Sequence, residues 1–230
     1  MDEVLENVYE LQMPRPDLPA HLVVSQDEPI SCHLLTDDSS VLIGTGYALS
    51  ADELITGIES VVDSLDCVIV EHGDSDHFGA LPELQDRFGE FHIAMPASDI
   101  GSVIRVHGSI TIDQELQHGN EACGLESIHV PGHTRGNMSF LDSDRDILYV
   151  GDTFVTADSD VALDGDWSGA FAPPGPRYNS NHEDAIINLD ILAEYEFESA
   201  LLTHGENVLS DAKGEFEVLL DDINRLGLPS

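Results

Sequence analysis

Four short apolar stretches in this chain each end at a histidine or aspartate beside glycine, and that repeated ending constrains the fold more than any other feature. The first, Cys67 to Val70, runs into Glu71-His72-Gly73-Asp74-Ser75-Asp76-His77-Phe78-Gly79. The second, ending at Val130, runs into Pro131-Gly132-His133-Thr134. The third, Leu148 to Val150, runs into Gly151-Asp152-Thr153, and the fourth, Leu201 to Thr203, runs into His204-Gly205. Strands are rigid, so ligand-type side chains placed just past their ends are held in fixed positions, and glycine allows close backbone approach there. On the residues alone, the first segment is either a ligand loop or a solvated acidic turn. The three downstream repeats of the same grammar favour ligation. Imidazole and carboxylate together suit zinc, iron or manganese.

Other apolar runs fit strands at His21 to Val24, Cys32 to Thr36, Ser40 to Ile43, Phe91 to Ala94, Glu126 to Val130, Met138 to Leu141 and Ala200 to Thr203. Helical patterns lie between them. Ser50 and Glu53 form a capping box ahead of Leu54, Ile55 and Ile58. Gly79 to Phe88 carries Pro82 early and Gly89 just past its end. His182 to Glu194 and Asp211 to Leu226 complete the set. Strands alternating with helices predict an α/β fold in layers, with residues 1–230 as a single domain. The stretch Ala157 to Asn181, rich in Asp, Gly and Pro, has no periodicity and is expected to be a long loop near the site.

In order and spacing, the four ligand segments resemble the motifs of the metallo-β-lactamase superfamily. His72-Gly73-Asp74-Ser75-Asp76-His77-Phe78-Gly79 follows its first motif. Pro131-Gly132-His133-Thr134-Arg135-Gly136 and Gly151-Asp152-Thr153-Phe154 look most similar to the glyoxalase II-like branch, and His204 stands as the last histidine. The resemblance implies a four-layer αβ/βα sandwich. It also implies two divalent metal ions, zinc first, with iron or manganese as alternatives. One ion would be held by His72, Asp74 and His133, the other by Asp76, His77 and His204, with Asp152 bridging. It further implies a hydrolase in which a metal-held hydroxide attacks a thioester, ester or lactone. Asp76 would be the catalytic carboxylate that orients the nucleophile or takes its proton.

Two residues depart from the family pattern. Asp74 stands where histidine is usual, and a shorter, harder, charged ligand favours iron or manganese and weakens Lewis acidity at the first position. The flavodiiron branch, which carries glutamate there, makes a di-iron oxidoreductase with a separate electron donor the first alternative. Gly44, in Ile43-Gly44-Thr45-Gly46, stands where the family carries an aspartate that supports the ligand loop. With both departures together, a degenerate non-catalytic metal-binding protein is the second alternative.

Of the other histidines, His21, His33 and His92 are expected at core or edge positions of strands. His129 is expected to point away from the ligand motif, and His107, His118 and His182 lie in polar contexts. Arg177 and Tyr178 are the candidates for contact with an anionic substrate, and Arg135 is expected to be structural.

Acidic residues number 45 against 8 basic ones, seven arginines and Lys213, for a formal charge of −37. The charge is spread along the chain, and self-repulsion of this size opposes compaction unless salt screens it. At molar salt the screening length falls to about 3 Å. The composition therefore points to a concentrated-salt cytoplasm such as that of an extreme halophile. Such a surface disfavours nucleic acid as a partner. The absence of a signal peptide or long apolar run leads us to expect a cytoplasmic protein without membrane association, acting on a small molecule. Lack of export disfavours drug-directed β-lactamase activity. The three cysteines, Cys32, Cys67 and Cys123, form no CxxC pair and are expected to fill core space. If the charge is a salt adaptation, the melting temperature will climb steeply with added potassium chloride, whereas a flat response in thermal melts would refute it.

Overall fold

The computed structural model describes residues 1–15, 29–108 and 110–229; the expected strand His21 to Val24, with His21, lies outside them. The described chain forms two compact units, residues 1–15 with 29–116 and residues 117–229.

The first unit is built on seven strands in sequential order: β1 (Asp2–Leu5), β2 (Val8–Met13), β3 (Ile30–Thr36), β4 (Ser40–Ile43), β5 (Cys67–Ile69), β6 (His92–Pro96) and β7 (Gln114–Leu116). Pairing is antiparallel from β1 to β4 and parallel from β4 to β7. Each parallel step needs a crossover, and the helices of this unit lie in these crossovers, among them α1 (Ala51–Glu59), α3 (Leu81–Phe88) and α4 (Ile100–His107). The four-residue α2 (Ser75–Phe78) precedes α3. Leu34, Leu42, Val68, Val70, Ile93 and Met95 form a core with Leu54 and Ile58 of α1, Leu81 and Leu84 of α3, and Val103 of α4. Each such side chain contributes about 1.5–3 kcal/mol by leaving water. The alternate strand residues Leu35, Val41, Ile43, Ile69 and Ala94 are buried as well, which is why these strands are apolar throughout instead of alternating.

Three local expectations for this unit need correction. The capping box does not form: Ser50 makes no side-chain cap. The chain enters α1 from a 3-10 turn, Ala48–Ser50, so Ser50 lacks the extended backbone that a capping residue needs. Helix α4 was not expected, because its apolar residues encircle it; Val103 is buried while Ile104 and Val106 are exposed. His92, expected at a core or edge position, is exposed at the start of β6 and bonds Gln114.

The second unit has a five-stranded sheet in the order β14-β11-β10-β9-β8 and a separate two-stranded ribbon. The sheet strands are β8 (Glu121–Ala122), β9 (Leu125–His129), β10 (Met138–Asp142), β11 (Ile147–Tyr149) and β14 (Ser199–Leu201), and the ribbon is β12 (Val155–Thr156) with β13 (Phe171–Ala172). Only β11 and β14 pair in parallel. Helix α5 (His182–Ile187) passes into a 3-10 segment, Asn188–Glu194, so the single helix expected there is divided. Helix α6 (Ala212–Leu226) buries Phe216, Leu219 and Ile223 against Ile128, Leu148, Val150, Ala200 and Leu202. The Lys213 ammonium of α6 donates to the carbonyls of Leu192, Ala193 and Tyr195 at 3.2, 2.8 and 2.6 Å, closing the end of the 3-10 segment.

The stretch expected as a loop, Ala157 to Asn181, is a tied excursion. Leu163 N–H donates to Pro173 O and Gly175 N–H to Val161 O, both at 2.8 Å, so its two arms pair. Its tip is held to α6, where Asp222 accepts from Ser168 and Glu215 accepts from the Ala170 N–H at 2.8 Å. The cysteine expectation holds for Cys32, a free buried thiol, but not for Cys67 and Cys123, which are disulfide-bonded.

Burial pushes the Asp222 carboxyl up, but donation from the Ser168 N–H and hydroxyl and from Arg225 outweighs it and holds the group below the usual carboxylate range. A depressed carboxylate stabilises the fold fully above its unfolded pKa of about 3.9, and that stability is lost as pH falls through the folded value. Thermal melts of Asp222→Asn and the parent should therefore differ most near neutral pH and converge in acid below about pH 4.

Candidate metal centre

In the first unit, strands β4, β5 and β6 run in parallel, so the segments that follow them leave from one edge. The segment after β5 carries His72, Asp74, Asp76 and His77. His72 and His77 are fully buried, with ring centroids 3.9 Å apart. Asp74 occupies the extended position before α2, and its half-exposed side chain lies 3.6 Å from His72 Nε2 through Oδ2. Asp76 and His77 stand in the single turn of α2, and Tyr47 Oη donates to Asp76 Oδ2 at 3.4 Å.

Neighbouring segments hold this loop in place. Thr45 N–H, after β4, donates to His77 O at 2.8 Å. The buried Asp99, after β6, accepts from Gly73 N–H at 2.9 Å. Sequence reasoning missed Tyr47 and Asp99; the only signal for Asp99 was an aspartate directly ahead of a helix.

In the second unit, His133 follows β9, Asp152 follows β11 and His204 follows β14, three strands that run in one direction. All three side chains are buried. One oxygen, Asp152 Oδ2, lies 3.3 Å from His133 Nε2 and 3.6 Å from His204 Nε2. Below them runs a buried polar network. Asn137 donates to Val130 O at 3.0 Å and to Thr153 Oγ1 at 2.9 Å, and Ser139 Oγ donates to Val150 O at 2.8 Å. It joins the strand ends that carry His133 and Asp152. Its sequence signal was two polar residues, Asn137 and Ser139, at and just before the start of an apolar strand. The returning arm of the 157–181 excursion braces the same turn, with Ser180 N–H donating to His133 O at 2.8 Å and Asn181 N–H to Gly132 O at 2.9 Å.

The donor chemistry fits a metal. Separations near 3.6 Å are long for a hydrogen bond. Two ligands bound tetrahedrally at about 2.0–2.1 Å from one ion stand about 3.3 Å apart, close to the imidazole–carboxylate separations within each unit. Cys32, by contrast, stays a thiol: burial first, then the charges of Glu71 and Asp76, push it well above its ordinary pKa. His129 Nε2 donates to Arg135 O at 2.9 Å, away from ligation, as expected. His182, whose ring burial pushes its pKa down, bonds Asn179. Arg177 stacks on Tyr178, 4.6 Å from the ring centre.

Residues 26–204 match the Metallo-beta-lactamase superfamily, and the chain belongs to that family. It is 26% identical over 205 residues to the uncharacterized protein YobT of Bacillus subtilis, covering 80% of this chain and 87% of that protein. It is 26% identical over 143 residues to a hydroxyacylglutathione hydrolase of Shewanella pealeana, covering 59% of this chain and 53% of that enzyme. Among solved structures, a flavo di-iron protein of Thermotoga maritima matches its fold with a TM-score of 0.75 at 16% identity, over 95% of this chain and 60% of that one. The chain thus spans little more than half the length of those two proteins. The α/β fold class and the family expected from the motifs are those observed, and the family is one of metal-dependent hydrolases. Among the described residues, no helix is long and apolar enough to cross a membrane.

Gly132, at φ +143°, offers a local test of how the His133 turn is held. A Cβ there would lie 2.2 Å from the Ala185 backbone in α5. Gly132→Ala should cost at least about 1–3 kcal/mol, read as a lowered melting temperature. An unchanged melt would mean that the turn and α5 are not packed as described.

Proposed function

We propose that the chain is a metal-dependent hydrolase of a small thioester, ester or lactone. His72, Asp74 and His133 would hold one divalent ion and Asp76, His77 and His204 a second, with Asp152 available to both. The observation that carries the reading is Asp152 Oδ2, a single buried oxygen within 3.6 Å of two imidazole nitrogens. A carboxylate oxygen between two buried imidazoles suits a bridging ligand better than an ion pair, because the imidazoles are good neutral ligands and poor buried cations. Family membership supports the division of ligands between two ions, and the name of the Shewanella pealeana relative supports an acyl substrate.

Bound ions of this kind supply Lewis acidity and a water acidified toward neutrality. The chain's own residues do the rest. Buried His72 and His77 exclude bulk water, which strengthens charge interactions nearby. Asp76, which accepts from the Tyr47 hydroxyl at 3.4 Å, would orient the attacking water or take its proton. We propose zinc first. The half-exposed carboxylate of Asp74, in place of imidazole, favours iron or manganese at its position and is the observation behind a di-iron reading. The charge of −37 supports a small-molecule substrate, no nucleic-acid or membrane partner, and a salt-rich cytoplasm as the working environment. Residues 1–230 would act as one domain, since the family match runs through both units.

Metal analysis of protein purified in high salt, with a thioester and lactone panel, tests this reading. About two zinc or manganese ions per chain with turnover is the expected result, and His204→Ala should lose metal and activity together. Retention of full metal content by His204→Ala would overturn the ligand set. Iron with an oxygen-linked signal and no hydrolysis would favour the di-iron reading. Asp74→His should bind zinc more tightly and keep or raise turnover.

A further inference from the structure

We propose that Glu71 is the positioning residue of the candidate ligand loop, fixing the ring and tautomer of His77, and that position 44 is glycine to make room for it. Glu71 is 2% exposed, and a carboxylate so buried needs a partner. Its partner is His77, with Nδ1 at 3.2 Å from Oε2. An ionised carboxylate can only accept, so Nδ1 carries the hydrogen and donates it. His77 Nε2 then keeps the lone pair that a ligand needs.

The space for the Glu71 side chain comes from the neighbouring strand end. Gly44 follows β4, is bonded through its N–H to Ile69 O at 3.0 Å, and has φ +71°. A Cβ at position 44 would sit 3.3 Å from Glu71 Oε1 and 3.5 Å from Oε2, so the carboxylate would have to shift by a few tenths of an ångström. Position 44 therefore offers no carboxylate of its own, while position 71, one strand over, supplies one to the loop that both segments flank. None of the four motifs includes Glu71.

The inference rests on the proposed function only in taking His77 as a ligand, so His77→Ala is the control. If His77→Ala binds zinc like the parent, the ligand reading fails, and with it this one. With that control losing zinc, Glu71→Ala should weaken zinc binding about 10- to 100-fold in chelator competition. Glu71→Gln, which keeps an acceptor, should weaken it less. In the metal-free protein, nitrogen NMR of labelled imidazoles should report the Nδ1–H tautomer of His77, and Glu71→Ala should abolish that preference. A merely structural Glu71 would lower the melting temperature without moving this signal. Gly44→Ala should weaken zinc in the parent and add nothing in the Glu71→Ala background, since the strain at φ +71° is common to both. Parent-like zinc affinity in Glu71→Ala, or an unchanged His77 tautomer, overturns the positioning role, and additive effects overturn the role of Gly44. If Glu71→Ala does not fold, Glu71→Gln and Gly44→Ala decide by the same two readouts.

Discussion

Strand direction is the constraint on which the candidate centre depends. In the first unit the parallel β4–β5–β6 ladder brings three successive segments out at one edge, so Thr45, the ligand loop and Asp99 become neighbours despite separations of more than twenty residues. In the second unit β9, β11 and β14 share a direction, which groups His133, Asp152 and His204. Backbone hydrogen bonds are satisfied within each ladder, so the loops beyond the strand ends are free to carry polar groups inward. The candidate ligands are thus carried on strand ends that the sheets' own hydrogen bonding fixes, and local loop sequence aims them.

Much of this was legible from residues. Ser40 to Ile43 was found with its observed bounds, and the strands holding ligand loops were located to within a residue or two, because an apolar run ending at glycine and a polar group is a local signal. Strands β1 and β2 were missed, since Glu3, Glu10 and Gln12 give them a polar cast. Helix α4 was missed because only Val103 of its apolar residues is fully buried. The outer supports were the least legible. Asp99 comes near Gly73, and Asn137 and Ser139 near Thr153, through strand order, and no spacing along the chain announces such a meeting. The 157–181 stretch was read as a long loop, and what was not legible is how it is tied: the partners of Ser168 and Ala170 are 54 and 45 residues away.

Scarcity of cations makes their placement informative. Lys213, the chain's one lysine, meets three carbonyls where a 3-10 segment ends, and its ammonium also lies 5.6 Å from the Phe197 ring centre. Arg225 holds Asp222, Arg145 holds Asp142, and Arg87 pairs with Glu59. The exposed Arg87–Glu59 pair contributes only about 0–1 kcal/mol, whereas the carboxylates of Asp222 and Asp142 are buried. In a chain with 45 carboxylates, the larger role of these cations is to relieve crowding where two acidic segments must approach.

The glycines of the signature segments carry a different message from the ligands beside them. Gly132 and Gly205 have no side-chain donor atoms; each is required because another group occupies the space a Cβ would take, Ala185 beside one and Thr156 beside the other. Part of what makes these motifs recognisable is therefore a record of steric exclusion, not of reactivity. A descendant that lost every imidazole but kept its architecture would retain these glycines, and pattern matching would still claim it as kin. Kinship and competence are separate properties of such a sequence, and only the donor atoms speak to the second.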